Sequence, residues 1–301
     1  MNRRRFLIQS SQAVGALAFS PALLSQPEFG RLTILHTNDM HSRIDPFPMN
    51  GGRNQGLGGM SKRAAMINEI RKQSEHLLLL DSGDIFQGTP YFNFFGGELE
   101  FKLMSEMGYD YSTVGNHDFD AGIDGLVKQL PHADFKFLCS NYDFSNTVMA
   151  GKSLPFDIAQ KGDFKIGLFG LGIELKGLVP KTLYKETRYL DPLKAAQSTA
   201  DILRNDHNCD MVICLSHLGY QYRDKKISDV LLAQNTNGID LILGGHTHTF
   251  MQKPDIRRNN KGDEVIINQV GFGGILLGQL DFYLERNKKN KCIRCKNSLI
   301  G

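Results

Sequence analysis

The residues best suited to chemistry fall into five short polar strings. Gly244-Gly245-His246-Thr247-His248 carries two imidazoles two positions apart, directly after the apolar run Leu241-Ile242-Leu243. An extended turn can present both rings to one region, and imidazole is the commonest protein ligand for borderline divalent ions. Four other strings repeat this construction of an apolar run followed by ligand-type side chains: Asp39 and His41, Asp84, Asn116 with His117, and His217. Taken singly, each has an ordinary explanation as a loop acid, a turn residue or a buried histidine. Eight such residues after five apolar runs point instead to one site. The donors are carboxylate, amide oxygen and imidazole, with no thiolate, a set that suits Zn, Mn, Fe or Co ions rather than a structural cysteine zinc site. They suffice for two ions if one carboxylate is shared. A pair of ions about 3.5–4 Å apart is the standard device for splitting phosphate esters.

Positioning these loops requires a strand before each of them. Residues 32–35, 77–80, 111–114, 211–215 and 241–243 read as strands. Residues 62–72, 98–107, 123–130, 193–205 and 227–234 read as helices, the first with Ser61 as N-cap. Ligands in open α/β sheets bind beyond the carboxyl ends of the strands, where all five strings lie. Hairpins are expected at 155–160 with 164–171, around Lys161-Gly162-Asp163, and at 264–270 with 275–284. The sequence therefore predicts an α/β fold of two mixed sheets packed together. Residues 46–59 read as an exposed glycine-rich loop. Tyr91, Phe92, Phe94 and Phe95 are expected to serve packing or a lid, and no aromatic clamp for a base is evident.

The first 25 residues stand apart. Asn2-Arg3-Arg4-Arg5-Phe6-Leu7 precedes an uncharged stretch, 13–24, too short to span a bilayer. Arg-Arg-x-Phe-Leu resembles a twin-arginine export signal, so a leader over 1–25, a domain over 26–301 and a periplasmic location are expected. Loss of that leader takes the formal net charge from +3 to zero, leaving no bulk attraction to nucleic acid or acidic membranes. No membrane span is expected in the mature chain. Five cysteines leave at least one unpaired within the chain. Cys139, Cys209 and Cys214 sit in apolar runs as small core residues. Cys292-x-x-Cys295, in a basic tail, reads as a short disulfide or two inert thiols.

Asp39-x-His41, Gly83-Asp84-x-x-Gln87-Gly88, Gly115-Asn116-His117-Asp118, Ser216-His217 and Gly245-His246-x-His248 occur in this order within about residues 31–285. Together they resemble the motif series of the calcineurin-like metallophosphoesterases. Leu35-His36-Thr37-Asn38-Asp39 and Gly115-Asn116-His117-Asp118-Phe119-Asp120 resemble the 5′-nucleotidase branch. The resemblance implies a four-layer α/β/β/α sandwich and two divalent metal ions. Asp39, His41, Asp84 and His248 would hold one ion, and Asp84, Asn116, His217 and His246 the other, with Asp84 bridging. It further implies attack by metal-bound water on a 5′-nucleotide or related small phosphoester. His117 would hold no ion but assist the leaving group, with Asp120 orienting its ring. An Asp on one ring nitrogen fixes the tautomer and raises imidazole basicity; a plain helix N-cap is the alternative role for Asp120. Two-domain nucleotidases add a C-terminal domain that binds the nucleoside. This chain ends where the catalytic domain ends, so a separately encoded second domain is an expected partner. The rival expectations are a thiosulfohydrolase of the sulfur-oxidation type and a non-catalytic metal-binding subunit.

Overall fold

The computed structural model describes residues 29–285 and 291–301. The leader expected over 1–25 lies outside the described residues, as does the side chain of Cys292. In chain order the strands are β1 (Phe29–Thr37), β2 (His76–Asp81), β3 (Tyr111–Ser112), β4 (Lys136–Phe137), β5 (Tyr142–Asp143), β6 (Phe156–Lys161) and β7 (Phe164–Leu171). They continue with β8 (Arg188–Tyr189), β9 (Met211–Ser216), β10 (Leu241–Gly244), β11 (Asp255–Arg258), β12 (Glu264–Asn268), β13 (Leu276–Glu285) and β14 (Lys291–Leu299). One six-stranded sheet has the order β14-β13-β1-β2-β3-β4, and the other β11-β12-β10-β9-β7-β6. In the first, β1 to β4 are parallel while β13 and β14 are antiparallel additions. In the second, β7, β9, β10 and β12 are parallel between antiparallel edges. Both sheets are mixed, as expected.

Side-chain alternation builds the layers. Leu78 and Leu80 of β2 join Ile213 and Leu215 of β9 and Leu241 and Leu243 of β10 in a core between the sheets. Leu79 points the other way, into a cluster with Ile67 of helix Met60–Lys72 and Phe101 and Met104 of helix Glu98–Met107. Val212, Cys214 and Ile242 likewise point outward, against Ala196 and Ala200 of helix Pro192–Asp201 and Leu232 of helix Asp229–Asn235. Strands covered on both faces need apolar residues at every position, which is why these runs are continuous rather than alternating. The result is the four-layer α/β/β/α sandwich. Cys139, Cys209 and Cys214 are buried, as their runs suggested.

Two expectations require correction, and one strand is unforeseen. Residues 264–270 and 275–284 do not pair with each other. β12 lies in one sheet beside β10 and β11, and β13 lies in the other beside β1 and β14. The chain between them crosses the sandwich through Gly271, Gly273 and Gly274, all at positive φ, so a glycine-rich turn here marks a change of sheet. The basic tail after residue 285 contains β14, an edge strand antiparallel to β13. Helix Met60–Lys72 begins two residues early, and its cap position is Gly59 rather than Ser61, at φ 93° and without a side-chain cap bond. A Cβ at Gly59 would meet Pro46 at 2.9 Å, so close loop packing rather than a hydroxyl cap sets that boundary.

The outer core supports a measurement. Phe101 is fully buried and stacks on Phe86 at 4.8 Å, two residues after Asp84. Phe101→Ala should destabilise the fold by about 3–5 kcal/mol, whereas Phe94→Ala, at a residue 81% exposed, should change it by less than about 0.5 kcal/mol. Urea unfolding of both variants checks this; equal midpoints would refute the assignment of Phe101 to the core.

Candidate metal centre

All five polar strings leave the carboxyl ends of parallel strands. β1 leads to Asp39 and His41, β2 to Asp84, β3 to Asn116 and His117, β9 to His217, and β10 to His246 and His248. The first three strands belong to one sheet and the last two to the other, so the site straddles the seam between the sheets. The backbone there is unusual. Asp39, His41, Asp84, His246 and His248 have φ of 51°, 49°, 56°, 69° and 52°. Left-handed backbone in a non-glycine residue costs roughly 1–2 kcal/mol, and such residues cluster at functional sites. Ladder-like bonds hold the turns: the N–H groups of Asp39 and His41 donate to the carbonyls of Gly83 and Asp84 at 2.9 and 3.0 Å. Gly115 matters for approach, since a Cβ there would fall 2.2 Å from Asp84 Oδ1.

The predicted ligands gather into two clusters, Asp39–His41–His248 and Asp84–His217–His246, each with donor atoms within 4.8 Å of one another. Asn116 joins the second through its Oδ1, 2.8 Å from His246 Nδ1. His217 tests whether a cation fits. It is fully buried, and its Nδ1 donates to the Ser82 carbonyl at 2.6 Å. Nε2 is therefore the ring atom left to hold a proton or a metal ion; it has no hydrogen-bond partner and faces Asp84 Oδ2 at 3.1 Å and Asp39 Oδ1 at 3.9 Å. A buried lone pair aimed at two carboxylates is repulsive unless a proton or metal ion lies between them. Burial acts against charging His217, yet Asp84 and Asp39 together push its pKa up to about 10. The field that attracts a proton there would attract a divalent ion. His41 Nε2 and His248 Nε2 face each other at 3.0 Å, a second such meeting. Burial, aided by the His217 charge, pulls His246 down to about 4, and burial also lowers His41. Both are thereby held in the neutral form that binds metals. Burial acts to raise Asp84, but His217, with His41 and His117, holds its carboxyl well below the usual range. The residues fit two divalent ions.

His117 stands beside these clusters. Its ring lies 5.2 Å from that of His41, and its Nδ1 donates to Asp120 Oδ2 at 2.9 Å. That bond, opposed by burial and reinforced by the Asp84 charge, raises the His117 pKa. Helix Gly122–Gln129 is capped at Ala121, not by the Asp120 side chain, so Asp120 serves the imidazole. The structure thus brings all nine predicted residues together. Sequence reasoning missed the organising role of Asp118. Its buried carboxylate accepts from the backbone N–H groups of Ile85 (2.9 Å), Phe86 (3.2 Å), Asp84 (3.1 Å) and Gly115 (2.8 Å). Burial, with the Asp84 charge, pushes it up to about 6. The one available signal was an acid beside Asn116 and His117 without an assigned role. Also missed were Arg43, Phe47 and Phe272 beside the clusters. Of the aromatics singled out instead, Phe92 packs on Phe86 at 5.3 Å and Phe94 is exposed.

The calcineurin-like phosphoesterase family profile matches residues 32–250. A snake venom 5′-nucleotidase from Gloydius brevicauda is 37% identical over 293 residues, covering 90% of this chain and 48% of the relative. The solved NAD nucleotidase of Haemophilus influenzae superposes with a TM-score of 0.79 at 28% identity, covering 90% of this chain and 50% of that one. A sulfate thiohydrolase of Thermus thermophilus superposes with a TM-score of 0.74 at 20% identity, covering 90% of this chain and 56% of that one, a likeness of fold. The chain spans about half the length of the curated relatives it matches.

Asp118→Ala would leave four backbone N–H groups without their acceptor. Each buried donor left unsatisfied costs about 1–3 kcal/mol, so the variant should lose on the order of 3 kcal/mol or more. Urea unfolding in chelator separates this from metal loss, and a change below about 1 kcal/mol would show that the Asp84 loop is held by other means.

Proposed function

The chain belongs to the calcineurin-like phosphoesterase family, and from that premise we propose that it is a metal-dependent phosphoester hydrolase acting on 5′-nucleotides or related nucleotide phosphoesters. The observation that carries the reading is the pair of ligand clusters flanked by the His117–Asp120 couple. In this reading Asp39, His41 and His248 hold one divalent ion and Asp84, Asn116, His217 and His246 the other, with Asp84 shared. The ions, when bound, polarise the phosphoryl oxygens and lower the pKa of water. His117 keeps a proton for the departing oxygen, and Asp120, by accepting from Nδ1, fixes the ring and favours the charged imidazolium. The nucleotide preference rests on the relatives' names. Export to the periplasm rests on Arg3-Arg4-Arg5-Phe6-Leu7 and the leader behind it. Among the described residues no helix is long and apolar enough to cross a membrane. A second domain, on the same or another chain, is proposed as the partner that completes nucleoside recognition.

Elemental analysis of the purified protein should find two divalent ions per chain, and Asp84→Ala should lose both. One ion in the wild type, or two in the variant, would sink the shared-carboxylate assignment.

His117→Ala should retain its ions and lose about 10²–10⁴-fold in turnover. An unchanged rate would remove His117 from the mechanism. As an acid, His117 must be protonated, so activity falls as pH rises through its pKa. Asp120→Asn removes the principal cause of the upward shift, and the basic limb of kcat/KM should move to lower pH. A limb that stays in place would show that Asp120 does not act through His117.

A further inference from the structure

Beside the metal clusters lies a cavity of about 280 Å³, lined by His41, His117 and His248 together with Arg43, Phe47 and Phe272. Arg43, the two phenylalanines and His248 form a continuous series of ring contacts. The Arg43 guanidinium sits 4.1 Å over the Phe47 ring. Phe47 meets Phe272 edge-on at 6.0 Å, and Phe272 stacks on His248 at 5.0 Å with 18° between the planes. Arg43 is thereby tied sideways to a residue of the first metal cluster.

The charge of Asp45 acts on it, but it is closed into no ion pair. Arg31, Arg188, Arg204, Arg257 and Arg258 each have a carboxylate within ion-pair distance. Among the described residues no carboxylate stands that close to Arg43. Asp45, two positions on, also accepts the Tyr91 hydroxyl at 2.6 Å. A ring face steadies a guanidinium without neutralising it. A half-buried, unpaired guanidinium facing a cavity is an anion site in waiting, because its planar fork matches two phosphoryl oxygens at once. Asp39, Asp84 and the imidazoles repel or ignore such a ligand until metal ions fill the clusters. Arg43 supplies positive charge to the same cavity.

We propose that Arg43, braced on Phe47, is a phosphoryl-binding residue of this cleft and that Phe47 and Phe272 form the wall on which the rest of the substrate lies. The proposal rests on the hydrolase reading above and deepens it. The phosphoryl group bound is either the one being cleaved or a second one attached to it, as in a nucleoside diphosphate.

Calorimetry on the metal-loaded protein separates these sources without using activity. Inorganic phosphate and methylenediphosphonate are titrated into wild type, Arg43→Gln and Arg43→Lys, with metal content and thermal midpoint recorded for each. Arg43→Gln should keep both ions and its midpoint and should bind about 10- to 100-fold more weakly, the worth of a charge-assisted hydrogen bond. Weakening toward both ligands places the guanidinium on the cleaved phosphoryl, and weakening toward the diphosphonate alone places it on the second. Arg43→Lys should recover part of the loss, since it returns the charge without the fork. Unchanged affinity for both ligands overturns the proposal, as does a loss that follows loss of metal. A wild type that binds phosphate through Arg43 but cleaves no phosphoester would refute the hydrolase reading and leave this one standing.

Discussion

Two carboxylates, Asp39 and Asp84, are buried at the seam of the sandwich with almost no exposure. An unpaired buried charge is among the most expensive features a fold can carry. Their surroundings reduce that expense in a consistent way. Asp39 accepts from the His246 N–H through both oxygens at 3.0 Å, and Asp84 accepts from the His117 N–H at 2.7 Å. Histidines face the remaining lone pairs. These bonds leave the acids short of full neutralisation, and His217, pushed up to about 10 between them, registers the deficit. Cations of higher charge fit the same field better than a proton does.

Geometry enforces this arrangement through the backbone. Five of the seven ligand-type residues lie at positive φ, a conformation that each would abandon in an unconstrained loop. The constraint comes from the three packed core clusters below and from Asp118. Its one carboxylate gathers four amides from the loops after β2 and β3. The strain of one such residue is similar to the about 1.5–3 kcal/mol gained by burying a single leucine. A core with Leu78, Leu80, Ile213, Leu215, Leu241 and Leu243 all fully buried can hold several.

The same end of the sandwich keeps distinct tasks on distinct elements. Ligand-type residues come from both sheets, whereas His117 and Asp120 sit together on one short segment after β3. Arg43 and Phe47 belong to the loop after β1, and Phe272 to the crossover between β12 and β13. Because the crossover changes sheets, Phe272 reaches both His248 and Phe47. A simple hairpin between residues 264 and 284 would have left that wall unbuilt.

Local chemistry made much of this legible in advance. Ligand types, their order and the apolar runs before them are properties of short strings, so the nine candidate residues, the α/β class and the strands beneath them follow from the sequence. Strand-to-strand partnership does not, because any apolar run can pair with any other until the whole sheet is assembled; hence the mistaken pairing of 264–270 with 275–284, and the unforeseen β14. Only the tertiary structure reveals which wall of the cleft is aromatic. Phe272 lies far along the chain from Arg43 and Phe47, and each resembles an ordinary loop residue taken alone. The role of Asp118 is likewise decided in three dimensions, since a carboxylate becomes an organiser only when packing brings four unsatisfied amides to it and excludes the water that would otherwise bind them.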